Sequence, residues 1–428
     1  MKIYYHPERK EWDAILQRPV LDSSSLKESV GSILKDIKAR RDVAIQEYSL
    51  RFDGVSLETL LVSEAEFEEA HVALSEELKA AIQVAHDNIF RFHEAQVSKP
   101  QEIETMPGVV CVRKSVGIEK VGLYIPGGTA PLFSTVLMLG IPAKIAVCKQ
   151  VILCTPPNKE GKVHPAILYS AKLAGVHQVY KVGGIQAIGG MAYGTDTIPK
   201  VFKIFGPGNQ YVTAAKQMVN AEGVAIDMPA GPSEVMVIAD ETAHAGFVAA
   251  DLLSQAEHGA DSQVVLVAVG TKILEAVLKE LDSQVALLPR RGFATQALGY
   301  SVAIIVENTA EAMAISNEYA PEHLILATAD ADLLAQGVTN AGSVFIGHYS
   351  PESVGDYASG TNHTLPTNGY AKAYSGVSLD SFVKKITFQR LTREGLESIG
   401  QTVITMAKAE HLDAHARAVE IRLENKIS

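Results

Sequence analysis

The sequence predicts an α/β protein with two Rossmann-like, doubly wound parallel sheets of similar build. From about Lys120, short β-branched runs alternate with glycine-rich turns and helical patterns, which is the rhythm of successive βαβ units. A second run of this kind begins near Ala225 and reaches the segment GSVFIGH at Gly342. No residue-level repeat relates the two runs, yet their common rhythm predicts two similar domains that face each other across a cleft.

Length, composition and charge exclude several classes of protein. A chain of 428 residues is too long for one ordinary core, and its 47% hydrophobic and 20% charged residues predict a packed, folded protein. The formal net charge of −11 argues against a nucleic-acid partner, because phosphate contacts need clustered cations. No stretch approaches the roughly 18 consecutive apolar residues of a membrane span, and the first twenty residues lack the apolar centre of a signal peptide.

The three cysteines, Cys111, Cys148 and Cys154, are an odd number and predict no disulfide framework. A cytoplasmic location is therefore expected. Cys148 or Cys154 could act as a nucleophile that forms a thiohemiacetal. Both lie in strongly apolar strand runs, where burial raises a thiol pKa and makes the group inert. A place in the core is the preferred interpretation.

Helical patterns flank the two βαβ runs. The first follows a capping-box pattern that runs from Ser25 to Glu28. After Gly376 the chain has the pattern of a helical tail, which could pack on a neighbouring subunit or cap its own chain. The remaining predicted helices cover Asp42 to Phe52 (ended by Gly54), Ser63 to His93, Thr392 to Leu412 and, after an Asp413 N-cap, Ala414 to Asn425.

Three glycine-rich loops follow successive predicted strands, at 124–128, 183–186 and 206–209. Glycine lets backbone N–H groups approach a phosphate at a helix N-terminus, where the dipole favours an anion. None of the loops fits G-x-G-x-x-G, and each alone could be a tight βα turn. Because all three lie at the carboxyl ends of strands, where open α/β sheets bind ligands, together they favour a nucleotide site.

The segment DLLSQAEHG places Gln255 and His258 three residues apart at the end of a predicted helix, so that they share one face. An amide oxygen and a neutral imidazole can both bind a borderline divalent cation. Two ligands are too few for zinc, which takes four or more donors. A histidine that interacts with the helix dipole is the plainer alternative.

Two further polar segments could carry chemistry. Glu322 and His323 lie in a predicted loop just before the apolar strand Leu324 to Ala327, and a carboxylate beside an imidazole suits proton transfer near neutral pH. A solvated Glu-His pair is the alternative. The polar loop 355–363 offers Asp356 as an oxygen ligand and His363 as a hydrogen-bonding group. In the tail, Glu410 and His415 by themselves indicate only a solvated helix face.

The chain resembles the histidinol dehydrogenase family. The resemblance rests on the passages VGLYIPGGTAPLFSTVLMLGIPAK, IFGPGN, IDMPAGPSEV, DLLSQAEHG, NEYAPEHL, SPESVGDYASGTNHTLPT and AEHLDAHARAV. It extends from about Ser25 to the end of the chain. This family consists of zinc-dependent homodimers that use NAD to oxidise L-histidinol to L-histidine in the last two oxidations of histidine biosynthesis.

The resemblance assigns a role to each of the separate polar signals. It implies a zinc site made by Gln255, His258, Asp356 and the His415 of a partner subunit. It implies an acid–base pair, Glu322 and His323. It also implies that the substrate is contacted by the zinc ligands and by Ser233, His323, His363 and Glu410. The implied contacts to NAD come from Tyr124, Gln186 and Asn209.

The resemblance also implies a domain organisation. Residues 1–24 would form an N-terminal arm, and residues 119–229 an incomplete Rossmann domain that binds NAD. Residues 25–118 and 230–376 would form the catalytic domain, with residues 377–428 as a helical tail that is exchanged in the homodimer. Two alternatives remain: a family relative that oxidises another polar alcohol, such as a sulfonated diol, and a non-catalytic zinc-binding protein. The presence of His363 and Glu410 speaks against the first, and the intact Glu322–His323 pair against the second.

Overall fold

A computed structural model describes residues 1–19, 24–127, 130–229 and 231–425; of Ser24 and Ser25 only the backbone is described. The chain divides into two compact units. The larger unit comprises Met1–Ala95 and Ile118–Phe382, and the smaller comprises Gln96–Gly117 and Val383–Ser428. Within the described residues, no helix is both long and apolar enough to cross a membrane.

The larger unit contains two sheets whose strand pairings are all parallel. Strand numbers follow the whole chain. The first strand is β1 (Lys2–Tyr5), and those of the first βαβ run are β4 (Lys120–Tyr124), β5 (Gln150–Thr155), β6 (Gln178–Lys181), β7 (Lys203–Phe205) and β8 (Ala225–Ile226). Those of the second run are β9 (Glu234–Ala239), β10 (Gln263–Val269), β11 (Val302–Val306), β12 (His323–Ala327) and β13 (Ser343–Ile346). The prediction of an α/β fold with parallel sheets is confirmed.

The two sheets have the same strand order. The five-stranded sheet runs β6-β5-β4-β7-β8, and the six-stranded sheet runs β1-β11-β10-β9-β12-β13. If the strands of each run are numbered from its own start, both read 3-2-1-4-5, with β1 added to one edge of the second sheet. This shared order agrees with the expectation of similar build, although the residues themselves show no repeat.

The helices of the larger unit cover both sheets with apolar faces. Ser63 and Ser75 cap two successive helices within the segment expected to be one helical stretch, so that segment is divided. The first-half helices are α1 (Trp12–Ile15), α2 (Ser24–Arg40), α3 (Asp42–Asp53), α4 (Glu64–Ala73), α5 (Glu76–Glu94), α6 (Phe133–Ile145), α7 (Pro165–Leu173), α8 (Gly184–Tyr193) and α9 (Gln210–Ala221). The others are α10 (Ala245–Ala256), α11 (Thr271–Val285), α12 (Arg291–Tyr300), α13 (Thr309–Tyr319), α14 (Ala331–Ala335) and α15 (Glu352–Tyr357).

Two helix boundaries were predicted with different success. Gly54 ends α3 in the left-handed conformation (φ 72°), as expected for a glycine after the last helical residue. The helix α2 begins at Ser24, before the predicted N-cap Ser25. The side chain of Ser25 lies outside the described residues, so the capping box itself stays a prediction.

The amino-terminal arm is part of the larger unit. Its strand β1 pairs in parallel with β11, and Arg18 binds Glu234 at the start of β9. The guanidinium makes two bonds to this carboxylate, of 2.5 and 2.9 Å, and stacks on the ring of Tyr319. Arg18 and Glu234 are both largely buried. The arm therefore anchors the amino ends of the central strands.

The smaller unit corrects the expectation of a purely helical tail. It contains an antiparallel sheet in the order β14-β3-β2, made of β2 (Gln101–Met106), β3 (Val109–Gly117) and β14 (Val383–Leu391). Only then follow α16 (Arg393–Ala409) and α17 (Asp413–Glu424). Asp413 is the first residue of α17 and Leu412 its N-cap, so the predicted Asp413 cap is wrong by one residue.

Candidate active site

A cavity of about 850 Å³ lies beside the carboxyl ends of the first sheet's strands. Tyr124 ends β4, Gln186 lies in the first turn of α8, and Asn209 caps α9 by accepting bonds from two backbone N–H groups. All three residues, which were predicted to contact NAD, line this one cavity. The structure thus brings residues of the three glycine-rich segments to a common cavity, which we call the nucleotide pocket after that prediction.

Two glycines of the glycine-rich segments are required by close backbone approach. Gly206 has a φ of 124°, and a Cβ atom there would collide with the carbonyl oxygen of Tyr124. A Cβ atom on Gly183 would collide with the ring of Pro156. Because these glycines have no Cβ atom, neighbouring βα loops can pack closely, which explains why these segments are rich in glycine.

A second cavity, of about 570 Å³, adjoins the first. Its lining includes Ser233, His258, Glu322 and His363, together with Asn209, which also lines the nucleotide pocket. Glu322 and Ser233 precede strands of the second sheet, so this cavity lies at the amino ends of those strands. We call this cavity the substrate pocket, after the substrate contacts predicted for several of its residues. A ligand in it and one in the nucleotide pocket would meet at Asn209.

Three potential ligand groups converge beside the substrate pocket. One ligand atom each of His258, Glu352 and Asp356 lies within 4.8 Å of the others. Gln255 and Asp356 each keep an oxygen, Oε1 and Oδ1, that is buried and has no hydrogen-bond partner among the described residues. Buried polar atoms nearly always have a hydrogen-bond partner. These two oxygens without one therefore indicate a site for a bound group.

His323 lies at the centre of this cluster and is almost fully buried. Its Nδ1 is 3.1 Å from the carbonyl oxygen of Glu234 and 3.0 Å from Nε2 of Gln255. Its Nε2 lies 3.4 Å from Oδ1 of Asp356 but makes no hydrogen bond within the described chain. Nδ1 can donate to the Glu234 carbonyl or accept from the Gln255 amide nitrogen, but not both. When Nδ1 of a neutral imidazole donates to the carbonyl, Nε2 carries the lone pair and can accept a proton.

Glu322 is buried beside this imidazole. Its Oε2 accepts a 2.9 Å bond from the backbone N–H of Glu234 and lies 3.7 Å from Nδ1 of His323. Burial raises the pKa of Glu322 to about 8. Burial alone would lower the pKa of His323, but the charges of Glu322, Glu352 and Asp356 outweigh it and raise the pKa to about 10.

His363 is held by two bonds that define its tautomer. Nδ1 donates to the backbone carbonyl of Asp356 at 2.8 Å, so Nε2 accepts from the hydroxyl of Thr135 at 2.9 Å. Burial lowers the pKa of His363, which keeps the ring neutral. The imidazole lines the substrate pocket in one fixed orientation.

Several placements differ from those predicted. His258 lies in the turn after α10, which ends at Ala256, and its N–H bonds to the carbonyl of Gln255; the two residues do not share a helix face. Asp356 lies on the short helix α15, where a loop was expected. His323 is the first residue of β12, which was predicted to begin one residue later. Glu410 and His415 belong to the smaller unit and are exposed.

Glu352 and Thr135 were missed. Glu352 precedes Asp356 by four residues on α15, so both carboxylates project from the same side of the helix. That i, i+4 spacing in PESVGD was a usable signal. Thr135 lies in the apolar helix α6 and had no signal, because only the fold brings its hydroxyl to His363.

The adjoining pockets and the buried imidazole–carboxylate cluster indicate an α/β enzyme with a candidate cation site. A model of the histidinol dehydrogenase family matches residues 16–423. The chain is 58% identical over 424 residues to a histidinol dehydrogenase of Bacteroides fragilis, with 99% of each covered. It is 54% identical to the chloroplastic histidinol dehydrogenase of Arabidopsis thaliana, with 96% of this chain and 89% of that protein covered.

A solved structure gives the same result. The crystal structure of histidinol dehydrogenase from Elizabethkingia anophelis matches with a TM-score of 0.97 and 55% identity, over 99% of this chain and 98% of that one. The chain therefore belongs to the histidinol dehydrogenase family.

Proposed function

We propose that the chain oxidises L-histidinol to L-histidine through L-histidinaldehyde, with Zn²⁺ bound and two NAD consumed. One observation carries this proposal: the pair Glu322–His323 lies among Gln255, His258 and Asp356, beside a pocket that is lined by Glu322 and His258 and meets the nucleotide pocket at Asn209. Membership of the family supports the substrate, the metal and the cofactor.

The donor set fits a divalent cation. Gln255 Oε1, Asp356 Oδ1 and an imidazole nitrogen of His258 are the donors, and zinc accepts such oxygen and nitrogen ligands. His258 faces the pocket, yet enough protein surrounds it that desolvation lowers its pKa, which favours the neutral form that binds metals. When bound, Zn²⁺ would orient the substrate's amine and imidazole.

A bound cation would also favour the proposed role of His323 as a general base. An imidazole with a pKa of about 10 keeps its proton at neutral pH and cannot act as a general base. The cause is the group of carboxylates around His323. A positive charge held beside Asp356 would oppose those carboxylates and bring the pKa of His323 towards neutrality.

In the first oxidation, Nε2 of His323 takes the proton of the substrate hydroxyl while the carbinol carbon loses hydride. NAD, when bound, accepts that hydride. The carbonyl of Glu234 holds Nδ1 and so keeps Nε2 directed at the reacting group. The products of this step are the aldehyde, NADH and a proton on His323, which leaves to solvent before the next step.

In the second oxidation, Glu322 removes a proton from water as the water adds to the aldehyde carbon, giving the monoanion of a hydrate, which keeps one hydroxyl proton. His323 then takes a hydroxyl proton of the hydrate while its carbon loses the second hydride. The resulting carboxylate is the product. Burial of the pair excludes bulk water, so the only water in reach is one that the pocket admits.

We propose that the tail is exchanged in a homodimer, so that Glu410 and His415 complete the partner's site. Both are exposed in the single chain, although the family resemblance gives them ligand and substrate roles. The cytoplasmic location, and the assignment of residues 119–229 to NAD and of 25–118 with 230–376 to catalysis, stay predictions. Residues 96–117 of the latter range lie in the smaller compact unit.

Mixed dimers test the exchange. His415→Asn and Asp356→Asn homodimers are expected to be inactive, because every site lacks one ligand. Each mixed dimer should contain one intact site, so random co-assembly at equal amounts should restore about a quarter of parental activity. Co-expression with two different affinity tags isolates the mixed dimer. If His415 acts within its own chain, the isolated mixed dimer will be as inactive as either homodimer.

The cysteines should be dispensable. Burial raises the pKa of Cys148 to about 11 and that of Cys154 further, so neither supplies a thiolate near neutral pH. We expect Cys148→Ala and Cys154→Ala to keep close to parental kcat in both oxidation steps. Initial rates with histidinol and with histidinaldehyde measure this. Loss of the aldehyde step alone in either variant would restore the thiohemiacetal route.

An end-point assay tests the proposed function directly. L-Histidinol with excess NAD should yield two NADH per substrate, and a chelator should abolish the reaction until Zn²⁺ is restored. A sulfonated diol serves as the comparison substrate. One NADH per substrate, or preference for the diol, would contradict the proposed reaction.

A further inference from the structure

A buried ion pair lies in the wall of the substrate pocket, and the proposed function gives it no role. Nζ of Lys216, on α9, lies 2.5 Å from Oδ1 of Asp227, the residue that follows β8. The two side chains are 6% and 1% exposed. Both residues line the substrate pocket, and so does Gly206. The pair therefore belongs to the site, although neither residue was predicted to contact substrate or cofactor.

The pair binds both backbone polar groups of Gly206. Nζ of Lys216 donates to the carbonyl oxygen of Gly206 at 2.7 Å, and Oδ2 of Asp227 accepts from its N–H at 2.8 Å. Gly206 is buried and comes directly after β7, whose strand pairing ends at Phe205. Buried backbone groups need hydrogen-bond partners. Here one lysine and one aspartate supply both of them.

The position of Gly206 determines where the next loop residues lie. Gly206 has a backbone conformation that favours glycine, and only three peptide bonds separate it from Asn209, the N-cap of α9. Pro207 lies between them, and its ring fixes one backbone angle of this short connection. A displaced Gly206 would therefore displace Asn209, which lines both pockets.

Stability alone is a weak reason for a buried pair of this kind. Removing an ammonium and a carboxylate from water costs free energy, and neutral side chains of similar size are often as stabilising in the same place. Charged groups do, however, make shorter and stronger hydrogen bonds than neutral ones. What Lys216 and Asp227 add beyond packing is therefore a fixed backbone position for Gly206.

We propose that Lys216 and Asp227 are positioning residues for hydride transfer. They hold Gly206 and, through the loop 206–209, set the position of Asn209 where the two pockets meet. They act through this loop and not on the reacting atoms. The proposal rests on the proposed function, because it assumes that the nicotinamide cofactor and the alcohol meet at Asn209.

The double variant Lys216→Met/Asp227→Asn is the main test, because it removes both charges and nearly keeps the volume. It leaves no buried charge unpaired, so it should fold. We expect kcat to fall, and the dissociation constant for NADH to rise, each by about 10- to 100-fold, the worth of a hydrogen bond to a charged group. Fluorescence titration without substrate measures NADH binding. The KM for histidinol should stay close to the parental value, because the proposed zinc ligands lie on other segments.

Propylammonium tests the role of the Lys216 ammonium itself. Lys216→Ala removes the atoms that this ion contains, and the space left behind adjoins the substrate pocket, through which the ion can enter. Propylammonium should raise kcat of Lys216→Ala by at least about tenfold. Tetramethylammonium, which has the charge but no N–H, should not.

Lys181→Ala is the matched control. Lys181 is also buried and paired with a carboxylate, that of Glu66 at 3.1 Å, but it lies in the lining of neither pocket. This variant should keep parental kcat and NADH affinity and should not respond to propylammonium.

Parental kcat and NADH affinity in the folded double variant would overturn the proposal, because they would show that the pair serves stability alone. A Lys216→Ala enzyme to which propylammonium restores nothing would overturn it as well, and this measurement decides the question if the double variant does not fold. Absence of NADH formation by the unaltered, zinc-loaded enzyme would instead contradict the proposed function.

Discussion

His323→Asn is expected to lower kcat by about 10²- to 10⁴-fold, the usual worth of a general base. The asparagine amide can still reach the Glu234 carbonyl but places no basic nitrogen where Nε2 lies. Zinc content should be unchanged, because the proposed ligands Gln255, His258 and Asp356 lie on other segments of the chain. Steady-state rates and metal analysis of the same preparation measure both effects.

The control for this variant is His348→Asn. His348 also lies in the larger unit, and its Nε2 lies 3.2 Å from the hydroxyl of Thr242, away from the substrate pocket. It should keep parental kcat. Loss of zinc from His323→Asn would mean that His323 is a ligand. A kcat close to that of the parent would mean that another group accepts the proton.

Arg18→Ala is expected to lower the free energy of unfolding by about 3–5 kcal/mol, because it leaves a buried carboxylate without its partner. The side chain of Glu234 is 3% exposed, and among the described residues its remaining hydrogen bond is from the backbone N–H of Asn368. The same variant should reduce kcat. The backbone N–H and carbonyl of Glu234 hold Glu322 and His323, so a displaced β9 misplaces both.

Urea unfolding at fixed protein concentration measures the loss, since the stability of the proposed dimer would depend on concentration. The double variant Arg18→Ala/Glu234→Gln should be more stable than Arg18→Ala, because it removes the buried charge as well. Arg40→Ala, which breaks exposed pairs with Asp36 and Glu47, should change stability little. An Arg18→Ala protein as stable as the parent would show that the buried pair contributes nothing to stability.

The sheets were predictable because their signal is local. Each βαβ unit has its own apolar runs and glycine-rich turns in a continuous stretch of sequence. The alternation of these patterns was therefore sufficient to predict a parallel α/β fold. The edge strands β1 and β14 were not predicted. A four-residue strand such as β1 becomes a strand only because β11 offers it an edge, and β14 depends on pairing with β3, more than 260 residues earlier.

The residues of the site also differ in whether the sequence near them gave a signal. Short-range chemistry in NEYAPEHL, DLLSQAEHG and PESVGDYASG was sufficient to nominate Glu322, His323, Gln255, His258 and Asp356. Glu352 had a signal in its spacing that was overlooked. Thr135 and Arg18 had none, because their partners are 228 and 216 residues away along the chain.

The sequence by itself therefore determined the class of fold, the family and the chemical types of the site residues, since each depends on neighbours within one element. Only the tertiary structure decided which carboxylates surround His323, which of its ring nitrogens lies beside Asp356, and where the two pockets meet. Those properties depend on distances between elements that are remote along the chain, and on how completely packing removes water from the charges they carry.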